Sequence, residues 1–272
     1  MFSHYKSIRW GLLTAILMFI FSHMSCSVYN PVDSDSHSDQ SYSAMASFSY
    51  TLSATGISDF ALKGINGNVE IIGIDETDSV KIWGKRLVRS GSYEDAEYHL
   101  EQLSVHVETY DHEIGVKTKQ PNESNGRSYE VEYHVRLPKS LKIIMENVNG
   151  QVAIANMENE IQTALVNGNI HVDTKKGGCQ TSVVNGNIYG EVSLLDREQC
   201  SLNSVNGNIT LVLPNTSSCR IEASVVNGNI VLTDLDIHNL NTSKTSVSGV
   251  VGEGSAGVRV QTINGNVELI GE

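Results

Sequence analysis

Apolar and polar positions in the second half of the chain fall into columns. With the Asn of each Asn-Gly pair as position zero, position −6 reads Ile143, Ile161, Cys179, Cys200, Ile221 and Val258. Position −4 reads Met145, Thr163, Thr181, Leu202, Ala223 and Val260, and position −2 is mixed, with Asn147, Leu165, Val183, Ser204, Val225 and Thr262. Beyond the pair, positions +3 and +5 read Val152/Ile154, Ile170/Val172, Ile188/Gly190, Ile209/Leu211, Ile230/Leu232 and Val267/Leu269. Period-two apolar positions on both sides of a turn predict two short, half-buried strands per unit. β-Branched residues dominate the apolar set, as strands favour, and helical spacing is absent from these units.

The turn itself is Val-Asn-Gly-Asn at Val166, Val184, Val205 and Val226, with Ile variants opening at Ile65 and Ile263. Degenerate copies start at Val148 (Val-Asn-Gly-Gln) and Val247 (Val-Ser-Gly-Val). The central glycines fall at 150, 168, 186, 207, 228, 249 and 265, in steps of 18, 18, 21, 21, 21 and 16 residues. A period of that size marks a stacked repeat. Asn and Gly both tolerate positive φ, so two architectures fit. Each pair closes a two-residue hairpin in an antiparallel meander, or each is a corner leading to the next face of a coil. The second explains more, because a hairpin has no use for the further Asn at +2. In a solenoid, equal positions lie one above another about 4.8 Å apart, and identical amides can bond up the stack. The predicted ladder comprises Asn66, Asn68, Asn149, Asn167, Asn169, Asn185, Asn187, Asn206, Asn208, Asn227, Asn229, Asn264 and Asn266. The unit at Ser248-Gly249 lacks both Asn and should break it. One unit buries too little apolar surface to offset the ordering of its backbone, so stability must be cooperative along the stack. The expected fold is all-β, a single-domain parallel β-solenoid (β-helix) with 16–21-residue coils and Asn-Gly-Asn corners.

These features resemble the bacterial "putative adhesin" β-strand-repeat family, domain of unknown function 4097. The resemblance rests on the multiplied Asn-Gly-Asn turns, including the early one at Asn66-Gly67-Asn68, and on the extended stretch Tyr129 to Leu137 before Pro138. It spans about residues 48–272 and implies an exported β-solenoid. It brings no catalytic residues with it.

The chain has 272 residues, 40% hydrophobic but only 6% aromatic, which suits one elongated domain plus a leader. A net charge of −12 argues against nucleic acid as a partner. It also argues against purely electrostatic docking on anionic lipid. Residues 1–26 read as an export signal: Lys6 and Arg9 precede an apolar run, Gly11 to Phe21, that is short for a membrane span. Cys26, following Ser25, resembles the lipid-attachment cysteine of bacterial lipoproteins, although His23 stands where that pattern prefers Leu. The alternative is cleavage near Ser25 and a secreted or periplasmic product. Residues 27–47, with Pro31, many Ser and three Asp, read as a disordered tether. Residues 48–272 are the solenoid, irregular over 48–140 and regular over 141–272.

In the irregular part, Phe60 to Ile71 fits the repeat template, and Val80 to Trp83 reads as a strand. Tyr93, Ala96, Leu100 and Leu103 line one face of a helix over 92–103, with Ser92 as its cap. The helix is expected to cover an open end of the core. Two strands are expected around Asp111, and Gln120 to Arg127 reads as an exposed loop.

Cys179 and Cys200 share position −6 and should stack, which suits either a disulfide or two small buried hydrophobes. Cys219, at −8, competes for Cys200. His106 and His134 sit in alternating stretches that could face each other, but no third zinc ligand is signalled. Gly252, Gly254 and Gly257 spell a dinucleotide-type motif, yet a strand follows it where that motif requires a helix. The acids of the array, such as Glu191, Asp196, Glu198, Glu222, Asp234 and Asp236, do not share a column, so a polysaccharide-cleaving carboxylate pair is not indicated. No metal or cofactor is called for. Three non-catalytic roles remain. The first is an adhesin-like interaction module binding an envelope protein or glycan. The second is a self-assembling structural element, with Glu268 and Glu272 guarding a final open edge. The third is an envelope sensor acting through a protein partner.

Overall fold

The computed structural model describes residues 42–272. The export signal, Cys26 and most of the tether lie outside the described residues. Residues 42–47, expected to belong to the tether, form strand instead.

The first part comprises β1 (Tyr42–Ser53), β2 (Asp59–Lys63), β3 (Val69–Ile74), β4 (Ser79–Ser90), helix α1 (Tyr93–Gln102), β5 (Ser104–Tyr110), β6 (Glu113–Lys119) and β7 (Ser128–Pro138). The array follows with β8 (Lys142–Asn149), β9 (Val152–Met157), β10 (Ile161–Asn167), β11 (Ile170–Thr174), β12 (Cys179–Asn185), β13 (Ile188–Val192), β14 (Gln199–Asn206) and β15 (Ile209–Leu213). It ends with β16 (Cys219–Asn227), β17 (Ile230–Thr233), β18 (His238–Thr242), β19 (Ser246–Val251), β20 (Ala256–Asn264) and β21 (Val267–Gly271). The strands form two sheets. One has the order β1-β4-β7-β3-β9-β11-β13-β15-β21-β17 and the other β18-β19-β16-β20-β14-β12-β10-β8-β2-β6-β5.

Each Asn-Gly pair of the array leaves a strand of the eleven-stranded sheet and enters one of the ten-stranded sheet, as from β8 to β9 or β10 to β11. Apart from β18 and β19, neighbours within a sheet are parallel through the array, for example Ile161 opposite Cys179 and Ile170 opposite Ile188. The hairpin meander is thereby excluded. The fold is all-β, with two parallel-rich sheets facing each other and one helix among the described residues. Alternation turns positions −6, −4, +3 and +5 inward. Ile143, Ile161, Leu202, Ile209, Leu211 and Leu269 are buried in a core that continues from Phe60 to Leu269.

The stacking order departs from the chain order. β20 lies between β14 and β16, and β21 between β15 and β17. The C-terminal coil is therefore threaded between two coils that precede it. Three expectations change. The Ser248-Gly249 unit is not a corner: Val247 to Val251 form β19, antiparallel to β16, with Gly249 opposite Ile221. The ladder is consequently not interrupted there, and the coil between Gly228 and Gly265 is longer than 21 residues because it carries the β18–β19 hairpin. Glu268 and Glu272 do not guard an edge, since β21 is an interior strand.

At the other end the helix forms as expected. The Ser92 side chain accepts from the Asp95 N–H at 3.2 Å and caps it. Arg127 holds Asp95 bidentately at 2.6 and 2.7 Å, and the Ser90 hydroxyl donates to the same carboxylate. Arg127, then Ser90, holds the Asp95 carboxyl well below the usual range. The helix packs on β1 and β4, at the end of the ten-stranded sheet, with Ala96 buried and Leu103 buried behind its C-terminus. β5 and β6 form the expected antiparallel hairpin, with Asp111 at positive φ in its turn.

Candidate interaction surface

The corners build the most regular feature of the surface. The first Asn of each unit forms a column of side-chain amides. Asn149 Nδ2 donates to Asn66 Oδ1 at 2.6 Å, and Asn167, Asn185 and Asn206 each donate to the preceding Asn at 2.8 Å. The column continues through Asn264 to Asn227, again at 2.8 Å, following the stacking order rather than the chain order. Asn66 Nδ2 closes the first end on the Tyr129 carbonyl at 3.0 Å.

The second Asn works differently. Its Oδ1 accepts the backbone N–H of the equivalent residue one coil on. Asn169 thus receives Asn187 at 2.9 Å, Asn187 receives Asn208 at 2.8 Å and Asn266 receives Asn229 at 2.9 Å. Asn68 likewise receives the N–H of Gln151 at 2.8 Å, and Asn208 that of Asn266 at 2.8 Å. Only the first column is an amide-to-amide ladder. The second satisfies corner donors that no strand reaches.

The glycine between them is fixed by stacking as well as by φ. Gly207 has φ +158°, and a Cβ there would stand 1.9 Å from the Gly186 carbonyl oxygen. The corners are in backbone contact, coil on coil. The mixed −2 column also gains a reason: its polar members donate into these corners, Asn147 to the Gly67 carbonyl at 3.0 Å and Thr262 to the Gly207 carbonyl at 2.9 Å.

Around this ridge the surface is banded. Position −1 places Ile65, Val148, Val166, Val184, Val205, Ile263 and Val226 along the outer face of the eleven-stranded sheet, and Val226 is 64% exposed. Across the ridge, position +4 aligns Glu70, Ala153, His171, Tyr189, Thr210, Glu268 and Val231 in register. His171 and Tyr189 stack there with ring centroids 4.8 Å apart. Each ladder amide spends one N–H and one lone pair on its neighbours, leaving a second donor and acceptor towards solvent. The ridge thus presents hydrogen-bonding groups about every 4.8 Å, beside an apolar strip.

A second outward cluster lies on β4, β7 and β3. Trp83 stacks on His134 at 5.5 Å, and Arg136 covers the Trp83 ring at 5.4 Å. His134 Nδ1 and Arg136 Nη1 both donate to Glu70 Oε2, at 3.1 and 3.0 Å. His134 first, then Arg136, holds the Glu70 carboxyl below its ordinary value against the opposing effect of burial. Sequence reasoning missed this cluster, because nothing in the spacing reveals that β7 lies between β3 and β4. It also separates His134 from His106, which stands on β5 in the other sheet, so the two do not face each other. No group of three or more potential metal-binding side chains occurs among the described residues. The Gly252-Gly254-Gly257 motif is the connection from β19 to β20, with no helix after it. Cys179 and Cys200 are register partners, as expected, and both are free buried thiols. Cys219 does not compete for Cys200, because β20 separates their strands.

A stack of two parallel-rich sheets, with strands passing from one to the other at Asn-Gly turns, defines a β-repeat module. Residues 149–270 match the family described as Toastrack DUF4097, the family that the repeats resemble. No curated protein matches the chain significantly. Solved structures similar to it include a "putative cell adhesion protein" from Clostridium sporogenes ATCC 15579, at 11% identity, covering 84% of this chain and 100% of that one, with a TM-score of 0.42. A "putative adhesin" from Bacteroides fragilis NCTC 9343 shows 10% identity over 83% of this chain and 97% of that one, with a TM-score of 0.35. A "putative lipid binding protein" from Parabacteroides distasonis ATCC 8503 shows 10% identity over 82% and 96%, with a TM-score of 0.29. Likeness this distant carries no argument about a ligand.

Proposed function

We propose that the chain is a non-catalytic module of the cell envelope, exported and anchored by lipid at Cys26, that binds an envelope protein or glycan along its corner ridge. The stacked coils carry that ridge, and their Asn-Gly-Asn corners furnish its polar groups. The observation that carries this reading is the banding. Two columns of Asn lie between an apolar strip and the column that holds the His171–Tyr189 stack, and the Asn columns and the strip repeat at the strand spacing. A ligand with a regular repeat, or an extended polypeptide, engages several coils at once and gains affinity through multivalency.

The test compares the full chain with a Val166→Lys/Val205→Lys variant in retention on envelope fractions. The two positions are two coils apart and partly exposed, so the variant should keep its thermal midpoint while its retention falls. Equal retention by both proteins, or none by either, removes the ridge from consideration. The anchor is read separately: Cys26→Ser should move the protein from the membrane to the soluble fraction, and unchanged membrane association rejects lipidation.

A further inference from the structure

Free sheet edges present unpaired N–H and C=O groups, and proteins blunt them with short strands, charges, proline or bulges. The four edge strands here are β1 and β17 in one sheet and β5 and β18 in the other. β17 has four residues, and β18 has five with an irregular register. β5 carries His106 and Glu108. Among the described residues, β1 has none of these devices in its own sequence, and the helix packs on β1 and β4 together. The strand runs for 12 residues, Tyr-Ser-Ala-Met-Ala-Ser-Phe-Ser-Tyr-Thr-Leu-Ser, without a charge, a proline or a glycine. It pairs with β4 from Tyr42 opposite Ser90 to Ser53 opposite Ser79 without a bulge.

The phase of its hydrogen bonds follows from one contact. Ala54 N–H donates to the Asp78 carbonyl at 2.7 Å, one step beyond the last register pair. Antiparallel pairs alternate, so the even-numbered residues of β1 bond to β4. Ser43, Met45, Ser47, Ser49, Thr51 and Ser53 then turn their backbone groups to the open side. The edge is also held in place. Phe48 packs edge-on against Tyr133 at 5.6 Å, and the Tyr50 hydroxyl donates to the Val105 carbonyl at 3.1 Å.

We propose that β1 is a self-association edge: two copies of this chain pair β1 with β1 antiparallel across a two-fold axis, joining their ten-stranded sheets. Charge favours a second copy as the occupant. A chain of net charge −12 repels itself, and an antiparallel self-pair sets the strand against its own sequence, with residues near the axis close to their own images, where like charges are destabilising. β1 meets its image without any charge. Its outward Ser and Thr supply cross-strand hydroxyl pairs, and pairing covers edge residues left open in one copy, such as Met45 at 61% exposed. A two-fold, isologous contact closes at two copies and does not propagate. The inference rests on β1 alone and is independent of the corner ridge.

The test is sedimentation velocity of the full chain over a concentration series. A Cys26→Ser background keeps lipid from driving association. The expected result is a monomer–dimer equilibrium that Ser47→Lys/Ser49→Lys weakens at least about tenfold, by placing like charges across the axis. Both side chains are exposed, so the variant should keep its thermal midpoint. Hydrogen exchange on the unmutated edge gives a second reading: association should protect the Met45, Ser47 and Ser49 amides, and not Val231 at the far edge. A monomer at every concentration overturns the proposal. So does a dimer indifferent to the lysines, or one that leaves those amides unprotected.

Discussion

Removing a ladder amide tests the stacking order directly. In chain order, Asn264 would end the column and Asn227 would lie inside it. In the structure Asn264 is interior, donating to Asn206 and accepting from Asn227, both at 2.8 Å, whereas Asn227 makes only the second of these bonds. A neutral intramolecular hydrogen bond contributes about 0.5–1.5 kcal/mol net. These amides are exposed, which places them towards the low end. Asn264→Ala should therefore cost about 1–2 kcal/mol and Asn227→Ala about half of that. For a domain of this size each kcal/mol lowers the thermal midpoint by about 2–4 °C. The assay is thermal and denaturant unfolding of Asn206→Ala, Asn227→Ala, Asn264→Ala and the pairwise double variants. A coupling energy should appear between positions 206 and 264 and vanish between 206 and 227. A larger loss at Asn227 than at Asn264, or coupling between 206 and 227, would refute the threaded order.

Two further outcomes follow from the corners and the core. Gly207→Ala should cost at least about 1–3 kcal/mol from backbone conformation alone. The clash with the Gly186 carbonyl adds to this, while Gly91→Ala, with nothing within 4 Å, should leave the denaturation midpoint nearly unchanged. The thiols should be inert to alkylating agents at neutral pH in the native protein and react on unfolding, as mass spectrometry of pulse-labelled samples would read. The hydrogen bond with Cys179, then burial, pushes the Cys200 thiol up, and burial pushes Cys219 up to about 11 from 9.0. The folded state therefore keeps a proton that the unfolded chain releases. Stability is full below pH 9 and falls as pH rises between 9 and 11, and Cys219→Ala should flatten that fall.

The repeat columns carried the inward-facing positions, because period-two alternation is local, but not the fate of Ser248-Gly249, which lies in β19. The helix at Tyr93–Gln102 was legible for the same reason: its cap, its spacing and its boundaries lie within a dozen residues. The two Asn columns looked alike in sequence yet differ in bonding. Position zero meets its image side chain to side chain, and position +2 meets a backbone N–H. The Trp83–His134–Glu70 cluster was hidden because it joins β4, β7 and β3 through pairings between residues distant in the chain.

The threaded C-terminal coil was hidden for a deeper reason. A ladder of identical corners makes any coil compatible with any other: the corner at Ile263 offers the same Asn, Gly and Asn as the corner at Val226. The motif therefore specifies that coils stack but is silent on their order. What sets the order is the segment that does not repeat. Residues 238–251 form a hairpin whose second strand runs antiparallel along β16. With β19 occupying that outer side of β16, no further parallel coil can be added there. The chain must return to the inner side, between β14 and β16, where Val260 meets both Leu202 and Ala223. The lost Asn at Ser248-Gly249 is thus no decayed corner. It belongs to the strand that stops the array from growing outward, and the final coil becomes an interior layer because of it.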